Sequence, residues 1–310
     1  MPTNTVIYPA INPLQFYKQV PDTDSRYNSR LFDNWYFSDT ILPWEQRVTW
    51  HQPWQRSDVL HLQLFSNYGP VNLKLYKEDD TLVGTIPFDQ IMVNFNDPTL
   101  YIYEVDVNMS SYDEGCYYFT ITFGSPVSLT FQSELIFLSD TIESTLLLEY
   151  SHPSFREDMI FETGIQPKMR IPAVLKFKGP ASKNTVYEDQ PLNLTVIRSL
   201  SYRVFTLDIG AGKGIPDYMA DKIDRILGCR TLLIDGVAYT KMGDSIEPAA
   251  IEDYPLRGWR IDMRPSVNRS SAHYQNEEPQ GRQVSVMINV DSKGLGTDTG
   301  GSETVITDVK

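Results

Sequence analysis

The most constraining feature of this chain is a recurrent two-residue alternation of apolar and polar side chains in runs too short for helices. Val59-Leu60-His61-Leu62-Gln63-Leu64-Phe65 and Val71-Asn72-Leu73-Lys74-Leu75-Tyr76 place apolar groups at every second position, as a strand with one buried face requires. The turn-forming Asn67-Tyr68-Gly69-Pro70 stands between them. Leu100 to Val107 and Gly115 to Phe123 repeat the pattern, followed by Leu135-Ile136-Phe137-Leu138. Short strands at this spacing, punctuated by polar turns, predict an antiparallel sandwich over 31–143. Aromatic residues make up 12% of the chain, with 18 Tyr and 14 Phe, which suits a sheet-rich fold.

The second half continues in the same manner. Leu146 to Tyr150, Arg170 to Phe177, Leu194 to Ile197 and Tyr202 to Ile209 read as strands. One segment has a different period: apolar residues at Ile215, Met219, Ile223, Ile226 and Leu227 lie on one helical face and predict a helix over 216–227. Pro216 suits its first turn, Asp217 its positive end, Arg225 its negative end, and Gly228 a C′ stop. Asp235-Gly236 between two apolar runs predicts a tight hairpin, and Trp259 to Arg264 offers a closing strand.

The expected fold is therefore mainly β, with two antiparallel β-sandwich-like domains, the second (144–270) carrying one short helix. Residues 1–30, crowded with Pro2, Pro9, Pro13 and Pro21, read as an N-terminal arm. Beyond about residue 270 aromatic content falls away and Gly, Ser, Asp and Thr dominate, so 271–310 reads as an extended C-terminal tail. Within it, Val284 to Val290 has the form of a strand that pairs with a neighbouring subunit, or of an incidental apolar run.

Charge narrows the possible partners. With 27 Lys and Arg against 40 Asp and Glu, the net charge of -13 argues against nucleic-acid binding, which draws its affinity from clustered cations. The N-terminus lacks the basic and apolar regions of a removable signal, and no window reaches the ~18 apolar residues of a membrane helix. Cys116 and Cys229 stand in separate halves and read as small buried hydrophobes.

Chemistry-bearing patterns are sparse. His51, His61, His152 and His273 show no metal-ligand spacing, and no nucleophile elbow is present, so no catalytic, cofactor-binding or metal residue is assigned. Leu207-Asp208-Ile209-Gly210-Ala211-Gly212-Lys213-Gly214 resembles the glycine-rich first motif of S-adenosylmethionine-dependent methyltransferases, with Asp235 standing where a ribose-binding acid belongs. Against that reading, Asp235 already belongs to a hairpin, which makes the next strand antiparallel where a methyltransferase needs a crossover helix. Trp35, Trp44, Trp50 and Trp54 cluster within one short stretch and form the candidate interaction residues. Three roles stay open for them: filling a sandwich core, anchoring a protein interface, or stacking on sugar rings.

The second-domain strands, the segment Gly214 to Lys222, the hairpin at Asp235-Gly236 and the strand Gly258 to Arg264 together resemble virion proteins of tailed phages. The type is the tail-tip or baseplate protein of the distal-tail class found in phages infecting Bacteroidota. The resemblance covers chiefly residues 145–265, beginning at Glu149-Tyr150-Ser151. It implies a non-enzymatic ring component of the virion, made in the host cytoplasm, that joins copies of itself and other tail proteins between tail tube and receptor-binding apparatus. A carbohydrate-binding module for a host surface glycan is the alternative, and a methyltransferase a distant third.

Overall fold

The computed structural model describes residues 5–18, 50–94, 98–124, 130–154, 159–188, 192, 194–210, 214–249 and 256–266. The chain divides into one unit of Met1–Ser270 and a second of Ser271–Lys310, the latter outside the described residues together with the expected tail strand Val284 to Val290.

The first half is a sandwich, as the alternation requires. Its strands are β1 (Val6–Ile7), β2 (Phe16–Lys18), β3 (His51–Gln55), β4 (Val59–Ser66), β5 (Val71–Lys77), β6 (Leu82–Pro87), β7 (Asp89–Val93), β8 (Tyr101–Asn108), β9 (Gly115–Phe123), β10 (Thr130–Ser133) and β11 (Leu135–Ser139). One sheet has four strands in the order β1-β4-β8-β7; the other has seven, with the path β2-β10-β9-β11-β3 and with β5 and β6 on the far edge of β9. The inward positions of both sheets, among them Leu60, Leu62, Leu64, Leu73, Leu75, Phe119 and Ile121, are 0–1% exposed and form one core. Asn67 to Pro70 carries the chain from one sheet to the other instead of forming a hairpin, since β4 and β5 belong to different sheets. One pair departs from the antiparallel expectation: β3 runs parallel to β11, with His51 opposite Leu135 and Gln55 opposite Ser139.

The second half is a closed barrel, not a second sandwich. Strands β12 (Thr145–Ser151), β13 (Lys168–Glu188), β14 (Leu194–Ile209), β15 (Thr231–Ile234), β16 (Val237–Ala249) and β17 (Gly258–Pro265) close in the order β12-β13-β14-β17-β16-β15. Closure by the β12–β15 pair removes both sheet edges, a solution open to six strands whose inward residues fill the interior. Asp235 and Gly236 have φ of 48° and 77°, the positive values that a tight hairpin between β15 and β16 demands. Asp235 Oδ1 also accepts from the Leu147 backbone N–H at 2.8 Å, so the turn is tied to the strand that closes the barrel.

The helix α1 (Asp217–Leu227) falls within a residue of its expected bounds, with Pro216 as N-cap. Met219, Ile223 and Ile226 are fully buried in the same cluster as the barrel's Leu148, Ile171, Leu207, Ile209, Ile234 and Met263. Each such side chain contributes roughly 1.5–3 kcal/mol on burial, which explains how the one α-helix among the described residues persists in a β protein. Gly228 ends it in a right-handed conformation (φ -82°), so the left-handed stop expected there is not used.

The expected N-terminal arm is corrected by the structure over its described part. Ile11, Asn12 and Leu14 are completely buried, Ile11 in the barrel-side cluster and Leu14 in the sandwich core. The prolines that preclude a helix allow this segment to turn its side chains into two cores in succession. Asn12 exchanges two hydrogen bonds with the Gln63 backbone, Nδ2 to O at 2.7 Å and N to Oδ1 at 3.0 Å, and Tyr150 donates its hydroxyl hydrogen bond to the Ile11 carbonyl. Residues 19–30 lie outside the described residues.

Candidate functional site

Pairing within the barrel is uneven, and that unevenness builds a strongly exposed feature among the described residues. β12 pairs β13 only over Lys168 to Pro172, and β17 pairs β14 only over Phe205 to Ile209. Between these limits, Lys178 to Glu188 and Leu194 to Val204 pair with each other and, among the described residues, with no other strand. The result is a free-standing two-stranded ribbon of roughly 35 Å at the usual strand rise of ~3.3 Å. Its root is fixed by aromatic packing: Phe177 and Phe205 meet edge to face at 5.5 Å, and the Arg264 guanidinium lies 4.3 Å over the Tyr202 ring.

The ribbon is apolar where water surrounds it. Val186, Tyr187, Leu192, Val196 and Ile197 are between 50% and 74% exposed, and Val186 faces Val196 directly across the ladder. A two-stranded ribbon is marginal in water by itself, and apolar side chains exposed along one make it a candidate interaction surface. Its charges run opposite to those of the chain. Among its described residues Lys178, Lys183, Arg198 and Arg203 outnumber Glu188, in a protein of net charge -13.

At the ribbon's root the outer barrel wall carries a groove of about 810 Å³ lined by Lys176, Lys178, Asp208, Arg260 and Asp262. These charges neutralise one another: Lys176 Nζ reaches Asp208 Oδ2 at 2.6 Å, Arg260 Nε reaches Asp208 Oδ1 at 2.9 Å, and Lys178 Nζ reaches Asp262 Oδ2 at 2.5 Å. Partial burial works to raise the Asp208 pKa, but Lys176 and Arg260 outweigh it and hold the carboxyl below its ordinary value. Asp208 is thus a structural acid of the outer wall.

The glycine-rich loop has an equally structural basis. Gly210 and Gly214 have φ of 76° and 72°, and a Cβ on Gly214 would stand 2.6 Å from the Leu256 carbonyl carbon. The glycines let this loop lie against the Leu256 and Arg257 backbone, where Ile215 and Arg257 form a bridge. The strand after α1 is antiparallel to both its neighbours, so the loop does not lead into the parallel crossover of a methyltransferase.

Of the candidate tryptophans, Trp54 is completely buried in the sandwich core and Trp50 is 7% exposed in the barrel-side cluster. Core filling is the role the structure gives these two. Trp35 and Trp44 lie outside the described residues.

Two groups were not visible in the sequence. The first is a polar seam between sandwich and barrel. Glu134, at the break between β10 and β11, is fully buried, accepts from the Gln15 N–H at 2.9 Å and from the Tyr218 hydroxyl at 2.6 Å, and faces Lys222 Nζ at 4.0 Å. Burial raises the Glu134 pKa, and prevails over the opposing effects of Lys222, Tyr218 and Gln15. Trp50 lies near enough to favour the ionised carboxylate, although its indole N–H makes no hydrogen bond of good geometry. Burial pushes the Lys222 ammonium down to about 8, against the attraction of Glu134.

The second group lies on the outer face of the seven-stranded sheet. His51, Glu78 and Cys116 each present one ligand atom, all within 4.8 Å of one another. Histidine spacing carries no metal signal here; two strands, β3 and β9, and the turn after β5 bring these residues together. Cys229 is buried, as expected, whereas Cys116 is half-buried on this outer face because Tyr117, next to it, takes the inward position.

Comparison with protein-family models, with curated proteins and with solved structures finds no match to this chain.

Proposed function

We propose that this chain is a non-enzymatic structural component of a tailed-phage virion, a ring subunit of the tail or baseplate that joins the tail tube to the receptor-binding apparatus. The observation that supports this reading is the free-standing ribbon of β13 and β14, with Val186, Tyr187, Val196 and Ile197 exposed. A ribbon of this kind gains its stability by lying on another surface. Its occupant is a second copy of the chain: Lys183 and Arg198 of the ribbon meet a subunit whose charge is otherwise strongly acidic, and head-to-tail placement of one ribbon on the next barrel closes a ring. The other tail proteins then bind the faces of that ring.

The charged groups of the barrel wall agree with this reading, since they are paired with each other instead of converging on a cleft. The glycan-binding alternative depends on exposed tryptophans, and the two of the four candidates among the described residues, Trp50 and Trp54, are in the core.

The test is molar mass by light scattering over a concentration series, with the same fractions imaged by negative stain. A closed ring is expected for the native chain, and a monomer for Val186→Asp/Ile197→Asp. A native chain that remains monomeric at every concentration, with or without the ribbon substitutions, would sink the self-assembly reading.

A further inference from the structure

We propose that His51, Glu78 and Cys116 form a binding site for a thiophilic divalent cation of the zinc class, independent of the ribbon and its assembly role. The donor set is an imidazole nitrogen, a carboxylate oxygen and a sulfur, with the three ligand atoms within 4.8 Å of one another. A thiolate with an imidazole selects zinc-like ions over calcium or magnesium, which prefer oxygen alone. The carboxylate and the thiolate together offset the charge of a divalent ion.

The backbone holds the three donors without help from an ion. His51 stands on β3, Cys116 on β9, and Glu78 immediately beyond β5, where its N–H donates to the Cys116 carbonyl at 3.2 Å. β5 and β9 pair directly, with Lys77 opposite Tyr117, and β11 bridges β9 to β3. The turn after Glu78 is fixed in turn by the Asp80 N–H donating to the Lys77 carbonyl at 3.0 Å. Rigid strands of one sheet therefore set the spacing, which is the favourable case for a metal site.

A further observation points to a ligand. His51 Nε2 is buried and, among the described residues, has no hydrogen-bond partner to offset its desolvation. A cation coordinated here takes the place of the thiol proton, which passes to solvent as the sulfur–metal bond forms, and accepts a lone pair from the His51 imidazole. Three protein donors leave a fourth position for water or for a group from a neighbouring molecule.

Calorimetric titration of zinc into the reduced, chelator-treated full chain, free of any histidine tag, tests this. One equivalent should bind. Cys116→Ser and His51→Gln should each weaken binding by more than about tenfold, the loss that even outer-shell partners cause, while His61→Gln should leave it unchanged. Should either variant misfold, native alkylation of the unsubstituted chain decides: iodoacetamide should label Cys116, and zinc should protect it. Absence of saturable binding, binding indifferent to both substitutions, or alkylation of Cys116 unaffected by zinc would each overturn the proposal.

Discussion

Arg170 of the barrel grips Asp58 of the sandwich with a two-pronged ion pair, Nε to Oδ2 at 2.7 Å and Nη2 to Oδ1 at 2.8 Å. Asp58 is 3% exposed and Arg170 9%. Asp58 Oδ2 also accepts from the Gln55 N–H at 2.8 Å, so the carboxylate fixes the β3–β4 turn as well as the seam. A buried pair of this kind contributes little against an apolar substitute, but losing one partner strands the other charge. Arg170→Ala should therefore cost about 3–5 kcal/mol in denaturant unfolding. Arg170→Lys should recover only part of it, because an ammonium cannot make both prongs. A loss under about 1 kcal/mol for Arg170→Ala would show that the seam does not depend on this pair.

Lys222 gives the seam a pH dependence whose sign is fixed. Its folded-state pKa, pushed down to about 8, lies below the ordinary lysine value of 10.5. Between those values the unfolded chain binds a proton that the native state does not, so the stability contributed by this group rises with pH across that window. It is complete above the unfolded value and lost as pH falls through about 8. Glu134, raised by burial, acts with the opposite slope above the ordinary carboxylate value: the native carboxyl keeps a proton that the unfolded one has released, and stability falls as pH rises. Lys222→Met removes a buried ammonium that lacks a hydrogen-bond partner. The variant should be at least as stable as the native chain at pH 7, and its advantage should shrink by pH 9. Urea midpoints at the two pH values check this, and a growing advantage would refute the assignment.

The parts of this architecture legible in the sequence are those set by local chemistry. Alternation in Val59 to Phe65 and Val71 to Tyr76 fixed the strands, the 3.6-residue period through Met219 and Ile223 fixed the helix, and Asp235-Gly236 fixed its hairpin. Closure was not legible, because whether β12 pairs with β15 depends on a contact between residues such as Leu148 and Ile234 far apart in the chain. The same holds for the N-terminal segment, whose proline-rich sequence reads as an arm until Ile11 and Leu14 find their cores.

The candidate site was hidden for a related reason. Arg170 to Phe177 and Leu194 to Ile197 both read as strands, yet nothing local shows that they continue past the barrel as one ribbon. Exposed Val186 and Ile197 carry the composition of core residues, and only their surroundings distinguish them. The tryptophans misled in the opposite direction, since a residue that anchors interfaces also fills cores, and Trp54 does the latter. Glu134 and Lys222 belong to different halves of the chain, so their meeting is a tertiary fact.

Two glycines separate a conformational requirement from a steric one. Gly236 has a positive φ but open space where a Cβ would stand, so Gly236→Ala should cost only about 1 kcal/mol. Gly214 has a positive φ and backbone atoms of Leu256 within 2.8 Å of that position. Gly214→Ala must push apart two backbone segments that pair through Ile215 and Arg257, and should destabilise the barrel by more than about 3 kcal/mol. Thermal unfolding of the two variants side by side checks the order. Equal shifts would mean that the loop moves aside and that its glycines are not needed for close approach.

Assembly through the ribbon should depend on salt in a manner set by its cations. Lys183 and Arg198 stand on the part of the ribbon that pairs with no other strand among the described residues, well away from the aromatic root. Attraction between them and an acidic neighbouring subunit is screened over about 10 Å at 0.1 M salt and about 3 Å at 1 M. The apolar contribution of Val186, Val196 and Ile197 persists in salt, so high ionic strength should weaken assembly without abolishing it. Lys183→Glu/Arg198→Glu should weaken assembly at 0.1 M salt and lose most of that defect at 1 M, as screening removes the introduced repulsion. Val196→Asp should weaken assembly at both concentrations, because it removes apolar contact as well as adding charge. Sedimentation velocity on the three chains distinguishes these outcomes. A charge-reversed chain that assembles like the native one at low salt would remove the electrostatic argument for a second copy as the ribbon's occupant.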